Sequence, residues 1–250
     1  MNNLCLDVGN TRTKAAVFNA AGQLQTLQTF DGKPKQGQVL QLLKDCHITR
    51  AILSSVAANN QLLAKTLQNH TRYFINLTHE TPVPINNAYQ TPQTLGKDRL
   101  AAVVGAQERF AGNNVLVIDA GTCITYDYLD AGGTYHGGGI SPGITTKFKA
   151  LHTFTGRLPL IMVQPNQTSN LPLVGNNTQN AILSGVIWGT IAEVEGIIHQ
   201  YRLQFDPLTV LFTGGDAIFF ENRLKSKIFA CPNLVPEGLN KILLFNAGKI

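Results

Sequence analysis

Residues 4–18 read LCLDVGNTRTKAAVF, and residues 115–129 read VLVIDAGTCITYDYL. In both, an apolar run stops on an aspartate, turns through a small residue, a glycine and a threonine, and resumes as a second strand. The first copy carries one extra residue, Asn10. A glycine in such a turn admits positive φ and lets a ligand approach the main chain. A tight turn gathers backbone N–H groups into one concavity that suits phosphate oxygens. The aspartate cannot face a phosphate directly, but it can hold a cation, or water on a cation, that does. One such turn alone reads first as a hairpin whose Asp bonds its own backbone. Two copies in matched strand-turn-strand context, 112 residues apart, favour a nucleotide-phosphate site.

Outward from the first copy, 3–8, 12–18 and 24–30 read as three successive strands. A helix follows from Gln38, a buried strand over 51–57, a helix over 59–70 and a short strand over 73–77. The Pro-, Asn- and Thr-rich segment 80–99 reads as a long surface loop, a length usually tied to function. It delivers Gly96-Lys97-Asp98-Arg99 to the start of a helix with Leu100, Ala101, Val103 and Val104 on one side. From Asn113 the pattern restarts, with strands over 115–121, 123–130 and 134–141. A helix opened by Ser141-Pro142-Gly143, a long helix over about 178–203, a strand over 209–215 and further helical material complete it. Hairpin strands followed by alternating helix and strand predict an α/β protein with mixed sheets, in domains 1–112 and 113–250.

Composition narrows the function classes. The 250 residues are 44% hydrophobic and 14% charged, which is globular. The net charge of +5 is spread along the chain; it suits an acidic or phosphorylated ligand but indicates no nucleic-acid arm. Four scattered cysteines and six scattered histidines show no zinc spacing, and reduced cysteines in apolar strands point to a cytoplasmic compartment. The N-terminus has no secretory pattern. The longest apolar segment carries Glu193 and Glu195 and reads as too polar for a membrane span, so neither a membrane nor a nucleic acid is expected as partner.

DVGNT with Lys14, GKDR, DAGT, GGGISPG, TGRLP, GNNT and TGGDA, in that order, resemble the type III pantothenate kinases over essentially the whole chain. The resemblance implies two actin-like (ribonuclease H-like) domains with ATP in the cleft between them. It implies ATP-dependent phosphorylation of pantothenate to 4′-phosphopantothenate, the entry step to coenzyme A, by a homodimer. Asp7, Val8, Gly9, Asn10, Thr11, Arg12, Thr13 and Lys14, with Thr122, form the nucleotide-contacting set, and Asp7 is the candidate for Mg²⁺ through water. On spacing alone a solvent-facing strand lysine is a plausible reading of Lys14.

Asp98 is implied as general base, and Arg99 as the bidentate partner of the pantothenate carboxylate. By themselves they read as a helix N-cap and a surface ion pair. Gly96, Lys97 and Tyr89 complete the substrate segment, and Thr178 is implied to reach pantothenate across the dimer; alone it reads as an N-cap. Asp119 is implied to hold a monovalent cation, K⁺ or NH₄⁺. Asp127 assists or faces solvent. Gly137, Gly138 and Gly139 read as a close approach to a ligand or domain, or equally as a strand-end kink. Two other functions fit the nucleotide turns: another small-molecule kinase of the same superfamily, and a nucleotide-sensing regulator without kinase activity.

Overall fold

The computed structural model describes residues 1–55, 60–163, 170–220 and 223–248. The expected end of the strand over 51–57 and the start of the helix over 59–70 lie outside the described residues. The chain forms two compact units. The first contains residues 1–112, 132–136 and 233–250, and the second contains 113–131 and 137–232.

The first unit opens with strands β1 (Asn2–Val8), β2 (Arg12–Phe18) and β3 (Leu24–Asp31), then helix α1 (Gln36–Asp45), β4 (Ile48–Ser55), α2 (Gln61–His70) and β5 (Tyr73–Asn76). They build one sheet in the order β3-β2-β1-β4-β5, antiparallel through the hairpins and parallel from β1 to β5. Central strand β1 buries four consecutive residues, Asn3 to Leu6, because it is covered on both faces. Its core gathers Leu4, Leu6, Val17, Leu43, Leu53 and Leu67. Asn60 precedes α2 but caps nothing with its side chain, which bonds Ser55 instead.

The expected loop 80–99 is structured: β6 (Asn86–Asn87) pairs with Thr134 and Tyr135, a 3₁₀ turn spans Pro92–Thr94, and Leu95 is buried. Helix α3 (Lys97–Phe110) buries every residue from Arg99 to Ala106, rather than one side. The reason is α6 (Leu234–Asn246), which packs closely on it. A Cβ on Gly238 would sit 1.7 Å from the Ala101 carbonyl, so the two backbones meet there. Arg109 forks onto Glu237 at 2.6 and 2.8 Å, and buried Asn3 on β1 donates to Asn240 at 2.9 Å. This packing places residues 233–250 with the first unit, where the sequence alone had suggested a second domain running from 113 to the end.

The second unit repeats the logic. Strands β7 (Asn114–Ala120), β8 (Cys123–Leu129), β9 (Thr134–Pro142, whose first three residues count with the first unit), β10 (Leu208–Thr213) and β11 (Phe229–Ala230) lie in the order β11-β10-β7-β8-β9, with the short β6 as sixth strand beside β9. By rank this is the same third-second-first-fourth-fifth order as the first sheet. Helices α4 (Ile144–Phe154) and α5 (Thr178–Phe205) cover it. Asn177, not Thr178, caps α5, accepting from the Asn180 N–H at 2.9 Å. By length and composition α5 could cross a membrane, which the sequence reading had rejected. One side of it, with Ile182, Val186, Ile187, Val194 and Ile198, is core in this unit. Its Glu193 and Glu195 are bonded to Lys147 and to Ser226.

Candidate active site

In the first unit the turn after β1 closes by the Gly9 N–H donating to the Arg12 carbonyl at 3.0 Å. Gly9 does not use positive φ; a Cβ there would crowd the Arg12 carbonyl at 3.1 Å. Neither does Gly121 in the second turn, so the expected left-handed glycines are absent from both turns. Asn10, Thr11 and Arg12 are exposed. Val8 and Thr13 are buried, and the Thr13 hydroxyl donates to the Gly32 carbonyl at 2.7 Å. Both side chains are therefore turned inward, and that of Thr13 holds the turn against Gly32.

Asp7 is partly exposed and accepts from Ser54 on β4 at 3.1 Å. Burial, and next the charge of Asp98, push the Asp7 carboxyl up to about 6, against the opposing pull of Ser54 and Lys14. Lys14 lies directly opposite Asp7 in the β1–β2 register. Thus Asp7, Ser54, Lys14 and Asp98 form one electrostatic cluster. Ser54 carried only a weak sequence signal, a polar pair ending an apolar strand.

Asp98 is the second residue of α3, and its cap position is held by Gly96, so Asp98 is not the N-cap. Its Oδ1 accepts from the Arg99 N–H at 2.9 Å. A Cβ on Gly96 would lie 2.5 Å from that oxygen, so glycine there leaves room for the carboxylate. Arg99 is only 6% exposed, which excludes a surface ion pair. Its guanidinium lies 5.7 Å from the centre of the Tyr89 ring, and Tyr89 stacks on Tyr135 at 6.1 Å. Lys97 departs from this group. It lines a separate cavity of about 230 Å³ with Thr78, His79, Asn87, Gln93 and Leu100, and Tyr89, Asp98 and Arg99 are not among its walls. Burial lowers the Lys97 ammonium from its ordinary value.

In the second unit the turn after β7 closes by the Gly121 N–H on the Cys123 carbonyl at 2.9 Å. Thr122 is exposed, and its carbonyl accepts from Gly143 at 3.0 Å and from the Thr146 hydroxyl at 2.5 Å. Asp119 is partly exposed beside Gly214. Gly214 has φ 101°, and a Cβ there would lie 2.2 Å from the Ala120 carbonyl and 2.5 Å from Asp119 Oδ1. Asp127 is fully buried, which excludes its facing solvent. The close approach at Gly138 is to the Tyr126 carbonyl of neighbouring β8, 1.7 Å from where a Cβ would be, and so is an intrasheet fit.

Thr178 is the first residue of α5. It lines an apolar groove of about 900 Å³ between α4 and α5, with Leu151, Phe154, Ile182 and Val186. Phe154 is 84% exposed there. Among the described residues no three His, Cys, Asp or Glu side chains cluster as a metal site.

A family model described as type III pantothenate kinase matches residues 3–200. A type III pantothenate kinase from Phocaeicola vulgatus is 44% identical over 245 residues, covering 98% of each chain. The activator of the 2-hydroxyisocaproyl-CoA dehydratase from Clostridium difficile, solved with bound ADPNP, superposes with a TM-score of 0.57 at 12% identity, covering 100% of this chain and 96% of that one. A ROK family glucokinase from Streptomyces griseus, solved with glucose and AMPPNP, gives 0.51 at 12% identity over 98% and 99% of the two chains. At such identity these two establish the actin-like fold alone.

Proposed function

The chain belongs to the type III pantothenate kinase family, and from that premise we infer that it transfers the terminal phosphoryl group of ATP to pantothenate, giving ADP and 4′-phosphopantothenate. The observation that carries the mechanism is the cluster of Asp7, Lys14, Ser54 and Asp98 at the first turn. Phosphoryl transfer needs positioning, charge neutralisation and a base for the attacking hydroxyl. Asp98 accepts the hydroxyl proton as the substrate oxygen bonds to the terminal phosphorus and the bridging bond to ADP breaks. The turn after β1, exposed from Asn10 to Arg12, receives phosphate oxygens, and Lys14 adds a point charge. Buried Arg99, over Tyr89, takes the pantothenate carboxylate.

Asp7 fits a divalent cation. The charge of Asp98 raises the proton affinity of Asp7, and a divalent cation held by Asp7 through water would relieve it. When bound it neutralises charge on the transferring group; positioning and proton transfer stay with Asp98, Lys14 and Arg99. Asp119 fits a monovalent cation, as an accessible carboxylate at a tight turn. In this reading a second copy of the chain covers the apolar groove, and Thr178 on its rim reaches the pantothenate held by that copy. Free cysteines at 5, 46, 123 and 231 suit a reducing cytoplasm.

The test is ADP release by purified protein with ATP, Mg²⁺ and pantothenate, in K⁺ and in choline, with product mass confirmed. Pantothenate-dependent turnover that K⁺ stimulates supports the reading. ATP binding without pantothenate turnover would move another kinase specificity, or a regulator, to the front. Sedimentation of the wild type against Phe154→Glu tests the dimer: a dimer that dissociates in the variant is expected, and a monomeric wild type refutes it.

A further inference from the structure

The two hairpins differ at one cross-strand position. Asp7 stands directly opposite Lys14, whereas Asp119 stands directly opposite Thr125. Directly opposed residues of an antiparallel pair project from the same face. The first carboxylate therefore has an ammonium built in beside it.

The second carboxylate faces a neutral hydroxyl instead. Thr125 Oγ1 is buried and has no hydrogen-bond partner among the described residues. A buried hydroxyl left without a partner is uncommon and calls for an explanation. Its oxygen carries two lone pairs, and neutral oxygens beside a carboxylate are the ligand set of a hard cation. We propose that Thr125 Oγ1 is a ligand of the monovalent cation at Asp119, and that this diffusible cation stands where the first hairpin carries the Lys14 ammonium. The inference rests on the assignment of Asp119 as the cation residue and names what that assignment leaves open: the second ligand, and why one hairpin needs a free cation while the other does not.

The experiment is calorimetric titration with Mg²⁺ and a non-hydrolysable ATP analogue across a K⁺ series, with choline keeping ionic strength constant. Wild type is expected to bind more tightly as K⁺ rises. Thr125→Val should raise the half-saturating K⁺ at least tenfold, Thr125→Ser should leave it within twofold, and Thr125→Lys should bind equally well in choline and in K⁺. Thermal unfolding of each variant verifies folding; if Thr125→Lys does not fold, the Val and Ser pair decides. A Thr125→Val protein with the wild-type half-saturating K⁺ overturns the proposal. A folded Thr125→Lys protein that still requires K⁺ overturns the substitution of ammonium for cation. Wild-type affinity indifferent to K⁺ would instead remove the cation from Asp119 itself, while pantothenate turnover by the same preparation would leave the kinase reading standing.

Discussion

The two Asp-turn hairpins share a burial pattern residue for residue: β1 matches β7, and β2 matches β8. They differ in what surrounds the carboxylate. Asp7 is set among ionisable and hydroxyl groups, Ser54, Lys14 and Asp98. Asp119 stands opposite the Thr125 hydroxyl, with Gly214 close to it and Gly143 bonded to the neighbouring Thr122 carbonyl. On the proposed function, one scaffold supplies a reactive turn and a holding turn. Strand pairing specifies the turn, and neighbouring elements specify its chemistry.

The largest break in that comparison is Asp98→Asn. Loss of a general base should lower kcat by about 10³-fold, with nucleotide affinity changed little. Steady-state kinetics beside a nucleotide titration would check it; a kcat within tenfold of wild type would place the base elsewhere. The holding turn should break through its backbone. Gly214→Ala adds a Cβ 2.2 Å from the Ala120 carbonyl at positive φ, and should cost about 3 kcal/mol or more. Gly9→Ala in the reactive turn meets only a 3.1 Å contact and should cost about 1 kcal/mol. Denaturant unfolding of the pair would invert the comparison if Gly9→Ala proved the worse.

A third test uses pH. The folded-state value of Asp7 is about 6, above the ordinary 3.8, so the folded protein holds the extra proton between them. Stability of the free protein is therefore lost as pH rises through that window. Asp7→Asn should match wild type near the lower end and exceed it above the upper end, by at most about 3 kcal/mol. Unfolding midpoints for both proteins across that range would show the gap opening. A gap that narrows as pH rises would reverse the assigned direction. The smallest effect is expected of Gly96→Ala. Its Cβ would displace a flexible carboxylate rather than backbone, so kcat should fall by about tenfold at nearly unchanged stability. A large drop in the unfolding temperature would show that Gly96 serves the fold instead.

Much of this architecture was legible in the residues. Alternation and turn chemistry placed both three-strand starts, the long helix, and Asp98 at the head of its helix. The repeated turn announced the duplication. What the chain pattern could not show was partner choice. Nothing in LVPEGLNKILLFN tells that it lies on α3 rather than in the second unit, because an apolar helix face does not name its neighbour. The same limit hid Ser54, which reaches Asp7 only through β1–β4 pairing, and Thr125, whose isolation depends on register. It also set Lys97 beside Asp98 in sequence while the fold turns it into another cavity.

The return of α6 to the first unit bears on how the protein is made. Chain emerging from a ribosome offers all of the second unit by residue 232, whereas α3 still lacks the helix that covers it. The unit that carries Asp7 and Asp98 therefore begins first and is finished last. Until α6 arrives, the apolar bed around Ala101 and Gly105 lies open to chaperones and to aggregation. The first unit is thus completed only after the whole of the second has been synthesised.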